Sequence, residues 1–145
     1  MKVIIQRVKE AKVEIEHKVV GAIEHGFLLY VCFEDGDQSE AIDKAITKIV
    51  NLRIFEDGDH RMNHNIQQAN GSILSISQFT LSWDGKKGHR PSFDRSMAPN
   101  SAKLFYRKFN DKLEELGIPL AKGQFGAEMK VHSINDGPVT FFLSF

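Results

Sequence analysis

The chain has 145 residues, enough for one domain around a single core; 41% are hydrophobic and 26% charged. Nineteen Lys+Arg balance nineteen Asp+Glu, so no global field draws a polyanion, and a nucleic acid would have to be met by a local basic patch. The single cysteine, Cys32, excludes an internal disulfide framework; no apolar run approaches the roughly 20 residues of a membrane span, and the early charges do not suit a signal peptide, so a cytosolic protein without a membrane partner is expected.

Val3–Val8 is β-rich and predicts a first strand, with Arg7 near its end. Lys12–Glu16 alternates polar and apolar with period two, as a half-buried strand does. Val19–Ile23 and Phe27–Phe33 follow, split by Glu24–His25–Gly26. The second run is continuously apolar and predicts a central strand buried on both faces, with Cys32 inside it as an inert thiol. Asp37 has the look of an N-cap, with Glu40 three residues on. Ala41, Ile42, Ala45, Ile46, Ile49 and Val50 then recur with helical spacing, and Lys44 and Lys48 mark the wet side.

Glu56–Asp59 is a turn. His60 and His64 have the i, i+4 spacing of metal ligands, but with no Glu beside the first and no third ligand they read as surface histidines, and no metal is expected. Ser72–Leu81 predicts another strand, rich in hydroxyls from Ser75 to Thr80. Those groups either bond to loops at a strand end or line a pocket. Trp83–Phe93 is a glycine-broken loop whose Lys86, Lys87 and Arg90 suit phosphate contact, with aromatics at both ends. A solvated surface loop is the plainer reading.

Pro99–Asn100 opens a second helix with an apolar stripe of Ala102, Phe105, Tyr106, Phe109, Leu113 and Leu116; Gly117 and Pro119 end it. Gly123–Met129 is small-residue chain entering a strand, where glycine often marks close backbone approach. Met129–Ile134 and Val139–Phe145 predict paired strands joined at Asn135–Asp136–Gly137–Pro138. By itself Gly137–Pro138 is either a trans turn, the commoner form, or a cis bond that aims two carbonyls the same way. The fold class is α/β: a single domain with a mostly antiparallel, barrel-like sheet and two main helices.

Ser77–Gln78–Phe79–Thr80–Leu81 and Asn135–Asp136–Gly137–Pro138–Val139–Thr140 resemble the two signature motifs of the D-aminoacyl-tRNA (D-tyrosyl-tRNA) deacylases. Gln6–Arg7–Val8, Leu52–Phe55, Met62–Asn63, Lys87–Phe93 and Phe125–Met129 match the pattern of that family in order and spacing, so the resemblance spans essentially all of residues 1–145. Trp83 and Lys122 depart from it, where a small residue and a threonine are common. The resemblance implies a homodimer that hydrolyses the ester of D-aminoacyl-tRNA and also releases glycine, with its active site at the subunit interface and no cofactor. The Ser77, Gln78, Phe79 and Thr80 segment would form one wall. Gly137 and Pro138, cis in the family, would enter from the other subunit. Arg7 would fix that dipeptide, and Met129, Ala127 and Thr140 would complete the substrate pocket. The resemblance further implies that the terminal ribose 2′-hydroxyl assists the attacking water.

Spacing alone offers no Ser-His-Asp or Cys-His set. An oxyanion held by the Phe79 and Thr80 N–H groups suffices for an activated ester; Thr80 as a covalent nucleophile is the rival. A non-catalytic RNA-binding module, a metal hydrolase using His60 and His64, and a small interaction protein are the competing classes.

Overall fold

The computed structural model describes residues 1–86 and 88–145. The organising strand is β1, Lys2–Ile15. The two short strands expected before residue 17 are one. Arg7 and Val8 are both buried, on opposite faces, and a register shift between Val8 and Glu10 breaks the alternation so that Ala11 and Val13 join Val8 inside the barrel, while one chain serves two neighbours along the same edge. Lys2–Val8 pairs antiparallel with β3, Gly26–Cys32, and Ala11–Ile15 with β2, Lys18–Ile23. The other edge of β1 pairs antiparallel with β8, Lys130–Ser144, over nearly its full length.

Most joins are antiparallel, as expected; among the described residues two are parallel: β3 with β6, Ser72–Ser77, and β6 with β7, Leu120–Lys122. The sheet order is β2-β1-β3-β6-β7, with β8 beside β1. It is mixed and nearly closed, because β2 curls back toward β7. An added Cβ on Gly21 would lie 3.1 Å from the Lys122 carbonyl, so glycine lets the two edges come near without pushing that backbone aside.

The apolar run of β3 behaves as expected. Phe27, Leu29 and Val31 face a core shared with the helices, while Leu28 points into the barrel beside Val8, Val13, Leu74 and Ile76. Helix α1, Ser39–Val50, buries Ile42, Ala45, Ile46, Ile49 and Val50. Its N-cap is Gln38, not Asp37. Asp37 is drawn elsewhere, accepting from the Met1 ammonium at 2.6 Å and from the Glu34 N–H at 2.7 Å. A short pair, β4 (Phe55–Glu56) and β5 (Met62–His64), carries the intervening turn, where His60 Nδ1 sits 3.2 Å from a Glu56 carboxylate oxygen. Helix α2, Pro99–Glu115, buries Ala102, Tyr106, Phe109 and Leu113 of the predicted stripe; Leu116 lies beyond its end and is exposed.

Two further expectations fail. The strand from Ser72 stops at Ser77, and Phe79–Ser82 is a 3-10 turn. The final two strands are not a hairpin: β8 runs straight through Asn135–Val139 with Gly137–Pro138 cis inside it. Its outer edge pairs with no named strand among the described residues, and of its fifteen residues only Val139 is buried.

Candidate active site

The turn at Phe79–Ser82 exists because β6 runs out of partners. Val31 is the last β3 residue in register with it, opposite Ser77, and the Val31 carbonyl accepts from the Gln78 N–H at 2.8 Å. The chain then coils. The Leu81 N–H reaches the Gln78 carbonyl at 3.3 Å, the Trp83 N–H reaches the Thr80 carbonyl at 3.2 Å, and the Gln78 side-chain amide donates to Thr80 Oγ1 at 2.7 Å. The Cys32 thiol donates to the Phe79 carbonyl at 3.5 Å, and Lys2 Nζ to the Leu81 carbonyl at 3.1 Å. Thus the carbonyls of residues 78 to 81 are all engaged. The Phe79 and Thr80 N–H groups, at the start of the turn, have no acceptor among the described residues.

A cleft of about 650 Å³ opens beside this turn. Ser77, Gln78 and Phe79 form one wall, and Ala127 and Met129 another. Phe79 is 55% exposed and packs edge-on against Phe93, ring centres 5.0 Å apart. Gly123 sets the depth: an added Cβ there would lie 2.6 Å from Met129 Sδ and 3.0 Å from Ile76 Cδ1. Burial, with repulsion from Glu34, pushes the Cys32 thiol up to about 11, so at neutral pH it is a protonated donor.

The remaining predicted residues gather elsewhere. Arg7, 5% exposed, donates to the Ile54 carbonyl at 2.6 Å and to the Asp136 main-chain oxygen at 3.3 Å. Asn135 Nδ2 spans the Arg7 and Val139 carbonyls at 2.9 and 3.1 Å. Between these anchors Gly137 and Pro138 are exposed, as is Thr140, which accepts from Gln6 at 3.4 Å. None of Arg7, Gly137, Pro138 and Thr140 is among the described residues lining the cleft. Lys86 and Arg90 are exposed on the loop that leads to Phe93; Lys87 lies outside the described residues.

One family model, described as D-Tyr-tRNA(Tyr) deacylase, matches residues 4–144. The chain belongs to the D-Tyr-tRNA(Tyr) deacylase family. As a member it is a hydrolase, a D-aminoacyl-tRNA deacylase. Among solved structures, this deacylase is similar to a c-Myc DNA unwinding element binding protein: 34% identity, TM-score 0.95, 100% of this chain and 99% of the other covered. A probable eukaryotic D-amino acid tRNA deacylase shares the fold at TM-score 0.81 and 18% identity, with 98% and 97% covered.

Sequence reasoning missed part of the cleft's lining. Met97, Ala98 and Pro99 at the start of α2, and Cys32 at the end of β3, also line it. In the sequence Pro99 reads only as a helix opener and Cys32 only as core. No local pattern announces that a helix start will face a strand end sixty-odd residues away. No helix among the described residues is long and apolar enough to cross a membrane.

Proposed function

We propose that this deacylase acts as a homodimer that hydrolyses D-aminoacyl- and glycyl-tRNA while rejecting L-aminoacyl esters. The observation that carries this reading is the state of the turn: the carbonyls of residues 78 to 81 are tied down, the adjacent Phe79 and Thr80 N–H groups have no acceptor among the described residues, and Phe79 lines the cleft. Water attacks the ester carbonyl carbon. The carbonyl oxygen takes up the negative charge and is held by the Phe79 and Thr80 N–H groups. The tetrahedral adduct collapses, the C–O3′ bond breaks, and the ribose oxygen takes the proton that the attacking water gives up. The ester is already activated, so placement and oxyanion binding supply enough catalysis. The ribose 2′-hydroxyl orients the water. Thr80 Oγ1 is occupied by Gln78, an amide that cannot serve as a base, which argues against Thr80 as nucleophile.

Selectivity comes from a second copy. Gly137 and Pro138 stand out on β8, braced by Arg7 and Asn135, but away from their own cleft. Seated in a partner's cleft, their carbonyls would press on the α-carbon and leave no room for an L side chain. A D side chain would point outward, and glycine would pass. Each tenfold of discrimination needs about 1.4 kcal/mol, and a fixed backbone wall supplies several such steps. Ala127 and Met129 line the substrate pocket, and Thr140 supports the dipeptide's strand. The Lys86–Arg90 loop, joined to the cleft through Phe93, meets tRNA phosphates.

Subunit complementation tests the shared site. Ala127→Trp blocks the cleft, and Gly137→Val disables the dipeptide. Gly137→Val alone should still cleave D-tyrosyl-tRNA but no longer reject L-tyrosyl-tRNA; in the heterodimer with Ala127→Trp, isolated through two different affinity tags, the one open cleft faces an intact dipeptide and rejection of L-tyrosyl-tRNA returns. If each subunit holds a complete site, that open cleft stays unselective.

A further inference from the structure

Among the described residues, Lys2 is a cation bonded to the Phe79–Ser82 turn from outside both signature motifs. Its position follows from register. Lys2 pairs with Cys32 across β1 and β3, so the two side chains leave the sheet as neighbours. Both then reach the same turn: Cys32 Sγ to the Phe79 carbonyl at 3.5 Å, Lys2 Nζ to the Leu81 carbonyl at 3.1 Å. A mere surface lysine would not sit this way. Its side chain is only 13% exposed, and its ammonium is held 2.9 Å from a Glu34 carboxylate that is itself only 11% exposed. Arg95 reaches the same Glu34 oxygen at 3.7 Å.

We infer that Lys2 is a positioning residue for the deacylation: its ammonium draws the Leu81 carbonyl away from the cleft and so holds the Phe79 and Thr80 N–H groups toward the substrate. This rests on the reading of those N–H groups as the oxyanion site. A peptide unit is rigid only within its own plane: the Gln78 carbonyl, coplanar with the Phe79 N–H, accepts from the Leu81 N–H at 3.3 Å, so anchoring Leu81 by its carbonyl steadies that N–H through the turn, while the Phe79 carbonyl bonded by Cys32 is coplanar with the Thr80 N–H. Glu34 keeps the ammonium aimed; Cys32 supplies a weaker second tether. Lys2 touches no substrate and moves no proton.

The test uses the full-length protein with Lys2→Met, close in size but without charge or donor, and Lys2→Arg. Steady-state kinetics on D-tyrosyl-tRNA are read beside the backbone amide NMR signals of Phe79 and Thr80. For Lys2→Met, kcat should fall by about ten- to a hundredfold with KM within threefold. The Phe79 and Thr80 signals should shift or broaden while those of β6 stay put, and Lys2→Arg should recover most of kcat. Unchanged kcat for Lys2→Met, equal losses for both variants, or a Lys2→Met chain that fails to fold would each overturn the inference, the last by making Lys2 merely structural. The amide signals keep the two readings apart. Signals that move only in Lys2→Met while wild-type protein shows no deacylation would sink the oxyanion reading and leave the control of the turn standing.

Discussion

The Arg7 guanidinium Nε lies 3.3 Å from both the main-chain oxygen and the carboxylate of Asp136, the residue before Gly137–Pro138. Its Nη1 is fixed on the Ile54 carbonyl at 2.6 Å. A buried fork therefore connects the start of the barrel to the exposed dipeptide. Lysine cannot reproduce two diverging donors. Arg7→Lys should lower stability by about 1–3 kcal/mol in urea unfolding. It should also narrow the ratio of D- to L-tyrosyl-tRNA hydrolysis, as the loosened dipeptide admits more of the L substrate. An unchanged ratio would remove Arg7 from the selectivity device.

Thr80→Ala separates positioning from covalent catalysis. The Thr80 hydroxyl only accepts from Gln78, while its N–H is the proposed catalytic group. Turnover should stay within about tenfold of wild type, against the thousandfold or greater loss expected of a missing nucleophile. Rapid-quench assays for a covalent aminoacyl-protein intermediate should find none.

Gly123→Ala reshapes the pocket without touching the turn. The new methyl would meet Met129 Sδ at 2.6 Å, and a thioether can move aside. Stability should change by less than about 1 kcal/mol. Met129 then crowds the cleft, so KM should rise more for D-tyrosyl- than for glycyl-tRNA. Equal effects on the two substrates would contradict the placement of Met129 against the aminoacyl group.

Cys32 gives a pH signature. Burial and Glu34 raise its thiol from an ordinary value of 9.0 to about 11 in the folded chain, with Lys2 opposing. The folded state holds this proton more tightly than the unfolded state. The associated stability is therefore complete below pH 9, and is lost as pH rises toward 11. Cys32→Ala should flatten that part of the stability curve, and alkylation of the native thiol at pH 8 should be slow until the protein unfolds.

Most of the fold could be read from β3 and the two helices, because continuous apolar runs and helical stripes are local signals. The errors fall where a long-range partner decides the local structure. Ser72–Leu81 looks like one strand until the sheet ends at Val31, after which Gln78–Leu81 must satisfy its own backbone. Asp37 looks like a cap until the Met1 ammonium competes for it. Asn135–Val139 looks like a hairpin turn until β1 is seen to run on beside both halves of β8. The site followed the same rule. Its motif residues were visible as a resemblance, while Lys2, Cys32 and Met97 entered through register and packing, which no short pattern encodes.

The central claim is that main-chain atoms of Gly137 and Pro138, lent by a partner copy, sense the handedness of the aminoacyl group. The most direct measurement is kcat/KM of the purified protein on D-tyrosyl- and L-tyrosyl-tRNA under identical conditions. The account predicts a preference for the D substrate of at least about a hundredfold, or roughly 2.7 kcal/mol. Rates within about threefold of each other, a difference under roughly 1 kcal/mol, would contradict it.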